Sequence, residues 1–192
     1  MALGRGFTVM LAGMALAIGT SAVHAEPWVT PFRGHVSFGY AKLFATDAPG
    51  GSLAFAAGID HPLSNTLRAG LDFDFALLGT RTVPRGSLVA DVDYSAVEVL
   101  AMLHWQPSWR VPIGRVSAGA GIMGARAAVS TSGASEFQDL PVSEVAPAVA
   151  LEATLISRKT APVRVGLETG VHVGFVSSET WTVWDVRLAF HF

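Results

Sequence analysis

Acidic, basic and histidine side chains recur at every second position in several segments of this chain. Asp72 and Asp74 are two residues apart, as are Asp185 and Arg187. In a β-strand such positions share one face, so these groups would converge on the space that this face lines. The full ionisable set on this parity consists of Asp60, Arg68, Asp72, Asp74, Glu98, Glu152, Arg164, Glu168, His172, Asp185 and Arg187, together with Arg115, His35, His104 and His191.

Three kinds of chemistry are compatible with this set. The favoured interpretation is a network of ion pairs, because buried charges persist only when they are paired or hydrogen-bonded. A Ser-His-acid hydrolase is the second, with His172 and Asp185 as candidates. Its hydroxyl would come from Ser177 or Ser178. A metal held by His172 and Glu168 is the weakest, because residues i and i+4 on a strand lie about 13 Å apart.

The familiar catalytic signatures are missing from the sequence. It contains no phosphate-binding loop, no HExxH stretch and no GxSxG stretch. We therefore predict no enzyme activity, no cofactor and no metal site.

These residues lie in segments of the chain that alternate between bulky apolar side chains and small or charged ones. Gly, Pro, Ser, Asn and Asp are clustered between the segments. Such alternation predicts strands joined by hairpins. Each segment has about the 9 to 11 residues that a membrane-spanning strand needs. Eight strands are predicted, near residues 34–45, 52–60, 67–78, 96–106, 115–125, 145–156, 163–176 and 181–192. The phase of the fifth is ambiguous because Arg126 interrupts it.

The composition of the two strand faces predicts which face lines the interior of the barrel. In the third segment Leu71 and Phe73 alternate with Asp72 and Asp74. The charged face is mostly Gly, Ala and Ser, which suits the narrow interior of an eight-stranded barrel. Bulky residues outside with small and charged residues inside is the arrangement of a membrane barrel. The alternative is a soluble, lipocalin-like barrel with the apolar face turned inward.

Hairpin register predicts which interior charges meet. The expected neighbours are Asp60 with Arg68, Glu152 with Arg164, and His172 with Asp185 and Arg187.

Connection lengths predict the orientation in the membrane. Residues 61–66 and 157–162 are short links, whereas 79–95 and 127–144 are long and read as outer loops, since outer loops are the longer ones in such barrels. Aromatic side chains are expected at the two rims: Trp105, Phe190 and Phe192 at the inner one, and Tyr40, Phe44, Phe75, Phe175 and Trp184 at the outer one.

The N-terminus has the three regions of a secretory signal peptide. Arg5 precedes an apolar stretch over residues 7–18, which is too short to span a bilayer as a helix. Val23-His24-Ala25 offers small residues for a signal peptidase, so cleavage after Ala25 is expected. The remaining chain would comprise a periplasmic lead segment, 26–33, and one barrel domain, 34–192.

Composition narrows the class of partner. The formal net charge is −2, and cysteine is absent. Lys42 and Lys159 are the only lysines, so there is no basic stripe for a nucleic acid. Neither a disulfide framework nor a thiolate metal site can form.

The C-terminal segment carries a family resemblance. Trp184, Val186, Leu188, Phe190 and Phe192 alternate and end on an aromatic residue. This resembles the C-terminal signal of bacterial outer-membrane β-barrels, which their assembly machinery recognises. The chain is similar to the small OmpA, OmpX and OmpW type barrels, which implies an eight-stranded antiparallel up-and-down transmembrane β-barrel in the outer membrane. Lipid and lipopolysaccharide are then implied partners.

Fold alone leaves the function open. The leading hypothesis is a structural or surface-interaction protein whose two long outer loops contact an unknown extracellular ligand, above an interior filled by a charged network. A narrow pore or small-molecule transport barrel is the first alternative. A lipid A-modifying hydrolase is the second.

Overall fold

The computed structural model describes residues 32–45, 48–85, 88–106, 114–132, 140–160, 163–177 and 179–192. The predicted signal peptide and most of the predicted lead segment lie outside these ranges. Eight strands follow one another: β1 Arg33–Phe44, β2 Ser52–Pro62, β3 Leu67–Arg85, β4 Leu88–Trp105, β5 Arg115–Ser132, β6 Leu140–Thr160, β7 Val163–Phe175 and β8 Thr180–His191. In the described part of the chain, no helix is long and apolar enough to cross a membrane.

Each strand pairs antiparallel with the next, and β1 pairs with β8, so the sheet closes into a barrel. The seam aligns Val36 with Phe190 and Phe38 with Leu188. Phe38 and Phe190 also stack across it, with ring centroids 6.0 Å apart. The predicted all-β, eight-stranded up-and-down barrel is confirmed.

The apolar face of the strands points outward and the small and charged face points into the lumen, as the alternation predicted. Leu71 is 57% exposed whereas its neighbour Asp72 is 3% exposed. Large apolar side chains cover the outside of every strand, including Phe38, Leu53, Ile122, Leu151 and Phe175. A closed barrel with an apolar exterior and polar groups enclosed is a membrane-spanning arrangement, so the soluble alternative is wrong.

Two strand pairs are much longer than predicted. The segments 79–95 and 127–144, expected to be loops, belong largely to β3, β4, β5 and β6. A bulge between Leu77 and Gly79 shifts the register of β3, and Gly79 has φ +95°. Beyond the bulge the even-numbered positions of β3, which faced the lumen before it, face outward. Thr80 and Thr82 therefore break the earlier pattern, which concealed the rest of the strand from a period-two reading.

The lower part of the interior is ionic, and its outer end is apolar. We name Leu43, Leu78, Met123, Trp181 and Val183 the outer plug; all are 5% exposed or less. They belong to one apolar cluster with the small Ala41, Ala54 and Ala96, and Tyr94 packs against it. The long strand pairs extend beyond this end, which identifies it as the extracellular end.

Candidate functional site in the barrel interior

Nearly all of the predicted interior charges are buried inside the barrel. Asp60, Arg68, Asp72, Asp74, Glu98, Arg115, Glu152, Glu168, Asp185 and Arg187 are each 7% exposed or less, as are His35, His104 and His172. Their shared parity turns these side chains into the lumen, and glycine and alanine occupy most of the remaining inward positions. These small residues leave the lumen to the long polar side chains.

A central cluster surrounds Arg187 and His172; we define it as Asp74, Glu98, Glu152, His172, Asp185 and Arg187. Arg187 is hydrogen-bonded to the carboxylates of Asp74 and Glu152. Its Nε lies 3.1 Å from Asp185 Oδ1. The guanidinium therefore joins carboxylates from β3, β6 and β8 across the lumen.

His172 contributes the second set of contacts in the central cluster. Its Nδ1 lies 3.0 Å from Glu98 Oε2, and its Nε2 lies 3.0 Å from Asp185 Oδ2. Glu152 Oε1 is 3.6 Å from the same Nε2. Both ring nitrogens thus face carboxylates.

Smaller groups of partners lie toward the inner end. Arg115 donates to Glu168 over 2.7 Å, and the Thr154 hydroxyl donates to the same oxygen over 3.1 Å. His191 Nε2 also lies 3.1 Å from Glu168. We call these contacts, together with the Arg68–Asp60 pair, the inner-end pairs.

Two of the three predicted proximities are present. Arg68 donates to Asp60, and His172 and Arg187 both contact Asp185. The third, Glu152 with Arg164, is wrong. Arg164 has the inward parity of Glu168 but is exposed, because it lies at the inner rim where β7 begins. Its aligned neighbours are Lys159 and His191, and Glu152 contacts Arg187 instead.

The hydrolase arrangement is not assembled by the described residues. His172 faces carboxylates on both sides, whereas the backbone N–H and hydroxyl of Ser177 both donate to Glu144 over 2.7 Å. Ser178 lies outside the described residues. The hydroxyl that does approach a histidine is that of Ser117, 2.9 Å from His104 Nδ1 in the inner half of the lumen. Sequence reasoning missed Ser117 and Thr154, although both have inward parity.

The interior offers little free space in the described part. A cavity with room for about one water molecule lies between the central cluster and the outer plug. Its lining includes Asp74, Glu98, His172, Asp185 and Arg187.

No protein-family model matches the chain, and no curated protein matches it. Solved structures do match. Neisserial surface protein A, NspA, aligns with a TM-score of 0.59 and 13% identity, covering 83% of this chain and 95% of NspA. Ail, the attachment invasion locus protein of Yersinia pestis, in complex with the heparin analogue sucrose octasulfate, aligns with a TM-score of 0.59 and 13% identity. That alignment covers 84% of this chain and 99% of Ail.

The chain has the fold of the small outer-membrane β-barrels. At these identities the likeness is one of fold, and it extends over nearly the whole length of both comparison proteins. The predicted resemblance to OmpA- and OmpX-type barrels is confirmed as a likeness of fold, and an outer-membrane location is what this fold indicates.

Proposed function

We propose that this barrel is a surface-interaction protein without enzyme activity, which contacts an extracellular ligand through the strands that project from its outer end. The observation that carries the proposal is the unequal length of the strands. β2 pairs with β3 only as far as Ala54 and Ala76, whereas β3 pairs with β4 as far as Arg85 and Leu88.

The opposite border of the projection has the same form. β5 pairs with β6 as far as Val129 and Leu140, while β7 pairs with β6 only up to Gly174 and Ala148. We name the part of β3, β4, β5 and β6 beyond these limits the sheet extension. It is a four-stranded sheet that continues the wall past the neighbouring strands.

The two faces of the sheet extension differ in polarity. On the outward face, the Thr80 hydroxyl donates to Asp93, and that of Thr82 donates to Asp91 over 2.6 Å. The face above the lumen shares its parity with Tyr94 and is mainly apolar. Its apolar members include Val83, Ala90, Val92, Ala127, Val129 and Val142, and the charged Arg81 and Glu144 share its parity. Val142 is 67% exposed, and exposed apolar surface of this kind often marks a contact site.

A trimming experiment tests the proposal. Residues 80–93 would be replaced by a short turn, and adhesion of bacteria displaying either form would be measured on surfaces coated with protein or with sulfated polysaccharide. The second coating is included because Ail is seen with a heparin analogue. We expect the wild type to adhere to one coating and the trimmed form to lose adhesion while keeping heat-modifiable gel migration. Equal adhesion of wild type, trimmed form and empty vector on every coating would contradict the proposal.

The alternatives give different signals. A conduit would conduct in planar bilayers, which the outer plug and the filled ionic layers argue against. A lipid A hydrolase would change the mass spectrum of lipid A in cells that express it. We expect neither change.

The proposal also covers the processing of the N-terminus and the division of the remaining chain. We propose removal of residues 1–25 on export, a lead segment over 26–33 and a barrel domain over 34–192. Mass spectrometry of the membrane fraction should find Glu26 first, and a retained Met1 would contradict this.

We also propose that the assembly machinery reads the last strand. Trp184, Leu188 and Phe192 lie on the exposed face of that segment. Deleting Phe192 should lower the yield of heat-modifiable protein in the outer membrane, because the signal loses its terminal aromatic residue. Unchanged yield and migration would be the contrary result.

A further inference from the structure

Negative charge exceeds positive charge in the central cluster. The contacts of Arg187 and His172 join four carboxylates, those of Asp74, Glu98, Glu152 and Asp185, to these two side chains. Even with His172 protonated, two negative charges remain without a counter-charge among these six groups. Buried charge of this kind is costly unless a further cation or protons offset it.

The inner-end pairs lack this excess. Asp60 is matched by Arg68, and Glu168 is matched by Arg115 with His191 beside it. Elsewhere in the described lumen the buried Asp72 has only His35 Nε2, at 3.7 Å. The surplus of carboxylates is therefore concentrated in the central cluster.

We propose that the central cluster binds one divalent transition-metal ion through Asp74, Glu152 and His172. These three side chains come from β3, β6 and β7, and each offers a ligand atom within 4.8 Å of the other two. Zinc is bound at about 2.0 to 2.2 Å by histidine nitrogen and carboxylate oxygen, so a small inward movement of the side chains completes the contacts. Imidazole together with carboxylates favours such ions over calcium or magnesium.

One carboxylate oxygen of Asp74 is available to a cation. Arg187 engages Oδ1 of Asp74, but Oδ2 of the same carboxylate is buried and has no hydrogen-bond partner. The Asp74 side chain is 10% exposed and lines the small cavity beside the cluster. One oxygen of this carboxylate is thus left for a cation other than the arginine.

The orientation of the His172 ring resembles that of metal-binding histidines. Such a residue usually gives its second ring nitrogen to a carboxylate or carbonyl, which fixes the orientation of the ring. Here Nδ1 contacts Glu98 at 3.0 Å, and Nε2 is turned toward Glu152 and Asp185. Glu98 would thus be a positioning residue for the ligand His172.

Gly170 keeps space beside the proposed ligand. It is aligned with Glu152 on β6 and Asp185 on β8. A Cβ at this position would lie 3.0 Å from His172 Nε2. A side chain there would fill the side of the imidazole on which the metal would lie.

Metal stoichiometry tests the proposal directly. The mature protein, refolded in detergent without metal, would be incubated with Zn²⁺, dialysed and measured by elemental analysis. We expect about one zinc ion per chain, as for a structural site. Co²⁺ in place of Zn²⁺ should give visible absorption bands from a site with a nitrogen ligand. A wild type that retains no stoichiometric metal, and gives no such bands, would overturn the proposal, and this result does not depend on any variant folding.

Matched variants then locate the site. Asp74→Asn and His172→Gln should lose the ion, while Asp60→Asn and His104→Gln make the same changes elsewhere in the lumen and should keep it. Glu98→Gln should weaken binding by about 10- to 100-fold without abolishing it, the usual effect of changing a residue that orients a ligand. Equal binding by all five, or equal loss from the lumen controls, would overturn the assignment.

Discussion

The central cluster and the outer plug are built on the same strands but use opposite chemistry. On β8, Trp181 and Val183 belong to the outer plug, while Asp185 and Arg187, the next two inward residues, belong to the central cluster. On β1, Leu43 is apolar and His35, toward the inner end, is polar, and both are buried. One wall of alternating residues therefore carries an apolar seal and an ionic layer.

The difference teaches what each layer contributes. Dispersion and apolar burial hold the outer plug, and these forces have no direction. The ionic groups need specific partners, since a buried charge that loses its partner is strongly destabilising. We therefore expect the central cluster to be the less tolerant of the two layers.

The largest effect should come from removing the guanidinium of Arg187 from the central cluster. Arg187→Met keeps apolar bulk but leaves Asp74 and Glu152 without their guanidinium, which should cost about 3 to 5 kcal/mol of unfolding free energy. Urea unfolding in lipid vesicles, with a metal chelator present, measures this cost. Arg126→Met, on an exposed side chain of β5, is the control and should change stability by about 0.5 kcal/mol or less. Equal costs for the two would show that the cluster is dispensable.

The next largest effect should come from placing a charge on the outer, lipid-facing surface of the barrel. Phe73 lies on the outward face of β3, so Phe73→Arg would put a charge in the bilayer, at a cost of about 2 to 4 kcal/mol. Asp72→Asn is the companion variant inside the barrel. Asp72 has His35 Nε2 at 3.7 Å and no closer ion pair in the described part, so this change should cost less. Greater damage from Asp72→Asn in the same vesicle assay would reverse our ranking of the two faces.

A smaller effect is expected in the outer plug. Leu43→Ala removes a side chain that is 1% exposed, and we expect a loss of about 2 to 3 kcal/mol, the lower part of the range for this change. The plug lies at the end of the barrel, where neighbouring side chains can move into the space. Leu53→Ala, half exposed on the outer surface, is the control. A loss above that of Arg187→Met would show that the plug, and not the ionic layer, dominates stability.

The sequence predicted the barrel well because alternation is local. In β7, Gly166, Glu168, Gly170 and His172 are all buried, as their shared parity required. The Asp60–Arg68 pair was also accessible to sequence reasoning, because a short hairpin fixes its register. Parity and hairpin length together therefore account for the wall and for the nearest ion pairs.

Register also predicted the contacts of His172 and Arg187 with Asp185, but it could not predict the rest of the central cluster. His172 and Glu98 are far apart in sequence and lie on β7 and β4, so their contact depends on how the whole barrel closes. The sheet extension was missed for another reason. The bulge at Leu78 changes which parity faces inward, so Thr80 and Thr82 no longer fit the pattern of the preceding residues. Arg164 was misplaced because parity gives the face of a residue but not its distance from the rim.

The seam between β1 and β8 has a consequence for the order of folding. Every other strand pair joins neighbours in the chain, but this one joins the first strand to the last. The ring therefore cannot close before the final strand is available, and the entropy of bringing distant segments together makes such contacts form late. Until then both end strands present unpaired backbone groups, which are prone to pair with other chains. The topology therefore requires that these two edges be protected until β8 pairs with β1, since that pairing removes both edges at once.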